Sequence, residues 1–106
     1  MVFDELLERQ FPRESANEVF GLRSPGELAE RIGVHVNYLN RAIRSTTGKT
    51  TTEYISERVV REAIALLKHS QWDISEISYS LGFEDPSHFN HFFKRQTNKV
   101  PSSFRI

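Results

Sequence analysis

The chain has 106 residues, 38% hydrophobic and 26% charged, enough for one small domain or for two subdomains that share an element. It has no cysteine, which excludes a disulfide framework and a thiolate metal site and suits the cytosol. Its 14 basic and 14 acidic residues cancel, which at face value argues against a polyanionic partner, but residues 1–20 carry five acids and two bases, whereas residues 21–106 carry nine acids and twelve bases. The body of the chain is therefore mildly basic, and the placement of its charges decides what it can bind. No apolar run approaches the ~18 residues of a membrane span, and the opening MVFDELLERQF puts acids where a signal peptide needs uninterrupted apolar residues. A soluble, cytoplasmic protein is expected.

Residues 2–11 place Phe3, Leu6, Leu7 and Phe11 on one side of a short helix that must stop by Pro12. The following PRESANEVFGLR has no clear period and reads as loop. Ser24, Pro25 and Glu27 form a capping-box start, and Gly33 supplies the stop of a helix that buries Leu28 and Ile32. A second helix runs from about Val36 to Thr47 with Leu39 and Ile43 inward, and Gly48 ends it. Thr50 and Glu53 then cap a long helix from about Thr51 to His69, in which Ile55, Val59, Ala63, Leu66 and Leu67 form one apolar stripe. Glu57, Arg61, Glu62 and Lys68 mostly face elsewhere. This rod of roughly 18 residues spans about 27 Å, a little under the ~34 Å between successive major grooves on one face of B-DNA.

Past the rod, Asp73 and Glu76 form another capping box, and Ile74, Ile77 and Leu81 give the buried face of a helix closed by Gly82. Glu84 and Asp85 read as caps for a helix over Ser87 to Gln96, with Pro86 at its first position and Phe89, Phe92 and Phe93 inward. Asn98 stands where a left-handed C-cap is wanted, and Pro101 can open a last short helix holding Phe104. No segment alternates as a strand does. The expected fold is all-α, with about seven helices. Its expected divisions are an N-terminal helix and linker over 1–21, subdomains over 22–50 and 71–106, and the linker helix over 51–70.

The two halves repeat one pattern. LAERIGVHVNYLNRAIR lies over ISYSLGFEDPSHFNHFFK with one extra residue in the second turn, so that Leu39 falls on Phe89 and Ile43 on Phe93. The outward residues pair too: Asn37, Asn40, Arg41 and Arg44 form an i, i+3, i+4, i+7 stripe, as do Ser87, Asn90, His91 and Lys94 fifty residues later. Two helices joined by a glycine-containing turn, the second with a polar outer face, describe a helix-turn-helix. Asparagine can make a bidentate contact to adenine, and arginine can fork onto O6 and N7 of guanine. Arg44, Lys94 and Arg95, lying further along, suit phosphates, which position a protein without reading sequence. His91 can donate to either.

Other patterns point nowhere. His88 and His91 stand at i, i+3, but no third ligand completes a metal set at a known spacing. Ser75, Ser78, Ser80 and Ser87 lie in no nucleophile elbow and there is no phosphate-binding glycine loop, so neither catalysis nor a cofactor is expected. Trp72 and the phenylalanines, at helical spacing, read as core rather than as a base-stacking surface. The rival reading is a helical protein-protein interaction module without DNA binding, which the zero net charge favours.

DISEISYSLGFEDPSHFNHFFKRQTNKVPSSFR resembles the C-terminal signature of the AraC/XylS family of bacterial transcription regulators, and SPGELAERIGVHVNYLNRAIRSTTG resembles the first helix-turn-helix of that family. The resemblance covers about residues 22–106 and implies two helix-turn-helix subdomains on a linker helix that read adjacent major grooves of promoter DNA. Its base-reading positions fall on His35, Asn37, Asn40 and Arg41 in the first unit and on Ser87, His88, Asn90 and His91 in the second. Three departures stand out: His91 where arginine is usual, Asn98 where glycine is usual, and a longer loop before Ser24. The resemblance also implies regulation of transcription in the bacterial cytoplasm through contact with RNA polymerase, with activation and repression both open. The DNA-binding domain is expected to be monomeric alone, with any dimerisation coming from an N-terminal domain that this chain lacks.

Overall fold

The computed structural model describes residues 24–105. The expected first helix and the loop after it lie outside the described residues. Within them are five α-helices and one turn of 3-10 helix, and no strand: α1 is Pro25–Ile32, α2 Val36–Thr47, α3 Thr51–His69, α4 Ile74–Ser80 and α5 Pro86–Thr97, followed by the 3-10 turn Pro101–Phe104. Among the described residues the helices number five, not about seven as expected of the chain, the first of which lies outside them. The last expected helix closes only one tight turn, as a four-residue segment started by proline can.

The helix boundaries follow from side-chain caps. The Ser24 hydroxyl accepts from the Glu27 N–H at 3.2 Å and donates to the Glu27 carboxylate at 2.9 Å. Thr50 with Glu53 and Asp73 with Glu76 each form a complete reciprocal capping box. Asp85 alone caps α5, its carboxylate accepting from His88 N–H at 3.0 Å, while Glu84 lies exposed with an oxygen 4.0 Å from His88 Nδ1 and caps nothing.

The rod α3 organises the core. Ile55, Val59 and Ala63 are fully buried, and Leu66 and Leu67 nearly so. Burial of each large apolar side chain contributes about 1.5–3 kcal/mol before conformational entropy is charged against it. Helices α1 and α2 pack on each other and on the rod; α4 and α5 do the same further along, and the 3-10 turn packs on α3 and α5. On the second side Phe83, Phe89 and Phe93 are buried and join Phe92 and Phe104 through ring contacts 5.1–5.7 Å between centroids. The aromatic run is core, as expected. Glu62 departs from the outward face assigned to it. It is buried, with its carboxylate 3.5 Å from the guanidinium of Arg58 one turn earlier, and a charge so placed needs that partner.

Candidate nucleic-acid interface

The same device is built twice. In the first unit Gly33 takes φ 87°, and the N–H of Val34 reaches back to the Ala29 carbonyl at 3.0 Å. In the second, Gly82 takes φ 88° and the N–H of Phe83 reaches the Ser78 carbonyl at 3.1 Å. These are the closing bonds of a left-handed helix stop. The extra residue of the second turn is held by the buried Ser78, whose hydroxyl donates to the Asp85 carbonyl at 3.1 Å.

The ends of α2 and α5 repeat as closely. Thr47 donates its hydroxyl to Ile43 and accepts from Lys49 N–H, and Thr97 does the same with Phe93 and Lys99. Gly48 and Asn98 both occupy left-handed C-caps, Asn98 at φ 63° being the only described non-glycine residue with positive φ.

Leu39, Ile43, Phe89 and Phe93 are buried on the inner faces of α2 and α5. His35, Asn37, Asn40, Arg41 and Arg44 are exposed in the first unit, and Ser87, His88, Asn90, His91, Lys94 and Arg95 in the second. The periodicity thus brings the expected residues together as two exposed ridges, each opposite a buried stripe.

Three of these side chains hold more definite positions than sequence reasoning gave them. His35 is the N-cap of α2: its Nδ1 accepts from Asn37 N–H at 3.1 Å, which leaves Nε2–H as the proton available to a ligand. Asn40 uses its carbonyl to accept from the hydroxyl of Thr51 at 2.7 Å. It shares with Arg44 a cleft of about 390 Å³ whose other walls are Pro25 and Thr50 to Thr52. His91 lines a hollow of about 280 Å³ with Phe83, His88, Phe92 and Arg95.

Two residues absent from the sequence-based set tie the elements that carry the ridges to the rod. Thr51 is one, and its signal was its place one turn before Ile55, on the buried stripe. Arg105 is the other. Its guanidinium donates to the carbonyls of Leu66, Leu67, Ser70 and Trp72 at 2.5–3.3 Å, so it clasps the end of the rod and the connection into α4. Positive charge there also complements the helix C-terminus.

A capped helix, a left-handed turn and a polar-faced helix, repeated on one rod, define a double helix-turn-helix protein. Residues 28–106 match the family described as "Helix-turn-helix domain". The chain belongs to this family, and is a DNA-binding domain of the AraC/XylS type of transcription regulator. It is similar to the HTH-type transcriptional activator RhaS of Mannheimia succiniciproducens, at 35% identity over 80 residues, which cover 76% of this chain and 30% of that protein. The chain therefore spans under a third of that relative's length. Among solved structures, the C-terminal domain of the two-component response regulator yesN from Fusobacterium nucleatum superposes with TM-score 0.78 at 21% identity, covering 99% of this chain and 95% of that one. The DNA-binding domain of AdpA, a global transcriptional factor, in complex with a target DNA gives TM-score 0.74 at 26% identity, covering 98% and 86%.

Proposed function

We propose that α2 and α5 enter two successive major grooves on one face of a promoter duplex and that the chain thereby positions a bacterial transcription activator on its operator. The observation that carries this reading is the exact fifty-residue repetition of two exposed polar ridges, each opposite a buried stripe, on helices packed against one rod. At 19 residues the rod is about 28 Å long, close to one turn of B-DNA. His35, Asn37, Asn40 and Arg41 then read bases in one groove, and Ser87, His88, Asn90 and His91 in the next. Arg44, Lys94 and Arg95 meet phosphates. The reading divides the chain into subdomains over 22–50 and 71–106 joined by the linker helix over 51–70. Contact with RNA polymerase in the cytoplasm, on the nucleoid, completes the reading.

A mobility-shift titration over salt tests it. Three phosphate contacts give log K a slope of about −3 against log salt, and footprinting should show two protected half-sites about 10 base pairs apart. A helical module built for a protein partner would show neither.

A further inference from the structure

The internal repeat places Asn40 and Asn90 at equivalent positions, yet the two amides are held differently. Asn40 accepts from Thr51 Oγ1 at 2.7 Å. Thr51 is 2% exposed, and among the described residues this is the only hydrogen bond of its hydroxyl, so breaking it leaves a buried polar group without a partner. Fifty residues on, the position of Thr51 is taken by the buried Pro101, which has no hydroxyl. Asn90 is exposed, and among the described residues its amide has no hydrogen bond.

We propose that Thr51 is a specificity-determining residue: it turns the Asn40 carbonyl towards α3 so that Asn40 presents its amide protons to the major groove, whereas Asn90 is free to present both its donor and its acceptor. This inference rests on the DNA-binding reading above. Adenine offers an acceptor at N7 beside a donor at N6, which an unrestrained asparagine matches with both ends of its amide. Guanine offers acceptors at N7 and O6, which suit the two protons of an amide nitrogen whose carbonyl is engaged elsewhere. Asn40 therefore selects guanine, and Asn90 adenine. Two asparagines on matching ridges read different bases because of a residue that touches no DNA.

The test is in vitro selection of duplexes by the full 106-residue chain, followed by competition binding with singly substituted sites. Asn40→Ala and Asn90→Ala identify the base pair that each residue reads. The expected result is guanine over adenine by about tenfold at the Asn40 base pair and the reverse at the Asn90 base pair. Thr51→Val, nearly isosteric, releases the amide and should shift the Asn40 base pair alone towards adenine by about fivefold or more, whereas Thr51→Ser keeps the hydroxyl and the guanine preference. Adenine selected by the unaltered chain at the Asn40 base pair overturns the proposal, as does a Thr51→Val variant with unchanged preferences. Should Thr51→Val not fold, the preference of the unaltered chain still decides. Failure of the DNA-binding reading looks different: no duplex is enriched, and binding does not fall with salt.

Discussion

Removing the Arg105 side chain should unfasten the second helix-turn-helix from the rod. Of its four carbonyl acceptors, Leu66 also receives the N–H and hydroxyl of Ser70, at 3.1 and 2.7 Å. Leu67, Ser70 and Trp72 have no other donor among the described residues. A hydrogen bond from a charged donor contributes about 1.5–3 kcal/mol, but these share one side chain, and water reaches the half-buried carbonyls once it is gone. Arg105→Ala should therefore cost about 2–4 kcal/mol, a large part of the roughly 5–15 kcal/mol that stabilises such a domain. Urea unfolding followed by circular dichroism measures this directly, and the thermal midpoint should drop by about 10–20 °C. Arg105→Lys keeps the charge but not the planar fork and should recover less than half. Below its unfolding range, Arg105→Ala should bind a two-half-site duplex more weakly than the unaltered chain but a single half-site for α2 equally well, since the carbonyls it holds span the joint between α3 and α4. A variant within about 0.5 kcal/mol of the unaltered chain, the ordinary range of a surface substitution, would refute the reasoning.

Arg41→Ala should cost about 1–3 kcal/mol on the best site and relax preference at one base pair, whereas Lys94→Ala should weaken all sequences and shallow the salt slope by about one. Equal loss on every sequence for Arg41→Ala would move that residue to the phosphate class. Asn98 sits at φ 63°, where alanine is strained by about 1–2 kcal/mol and glycine is not, so thermal melting should rank Asn98→Gly at or above the unaltered chain and Asn98→Ala below it. The Thr50 N–H and hydroxyl, with Arg44 and Lys49 adding positive charge, hold the Glu53 carboxyl below its ordinary value. A depressed carboxyl contributes stability that is complete above its unfolded-state value and is lost as pH falls through the folded-state value. Glu53→Gln should therefore flatten the acid side of the stability profile, from the ordinary carboxyl range downwards, and superimposable profiles would count against that role for Glu53.

The sequence showed most clearly what local rules govern. The limits of α2 and α3, two of the three expected capping boxes, the Asp85 and Asn98 caps and the inner phenylalanines all follow from residues within one or two turns of each other. What stayed hidden depends on contacts between distant segments. The Asn40–Thr51 bond joins two helices across 11 residues, and Arg105 finds its carbonyls 33 to 39 residues back. Glu62 looked outward because counting polar residues around a helix cannot show that Arg58 accompanies it inward. His35 escaped notice as a cap because histidine is not among the usual N-cap residues, although its Nδ1 accepts just as a carboxylate oxygen does.

Net charge misleads for a related reason. Of the nine acids in residues 21–106, Glu53, Asp73, Glu76 and Asp85 accept from backbone N–H groups at helix starts, and Glu27 accepts from the Ser24 hydroxyl. Glu57 is paired with Lys49 and Glu62 with Arg58. These carboxylates answer to nearby donors and cations, Glu53 to Arg44 among them, whereas Arg41, Lys94 and Arg95 on the two ridges form no ion pair among the described residues. Screening limits a charge in water to a range of about 10 Å at moderate salt, so a ligand at the ridges meets the local cations and not the total over the chain. A formally neutral chain can therefore present a basic face to a duplex, because seven of the nine acids in residues 21–106 are engaged in helix starts or ion pairs.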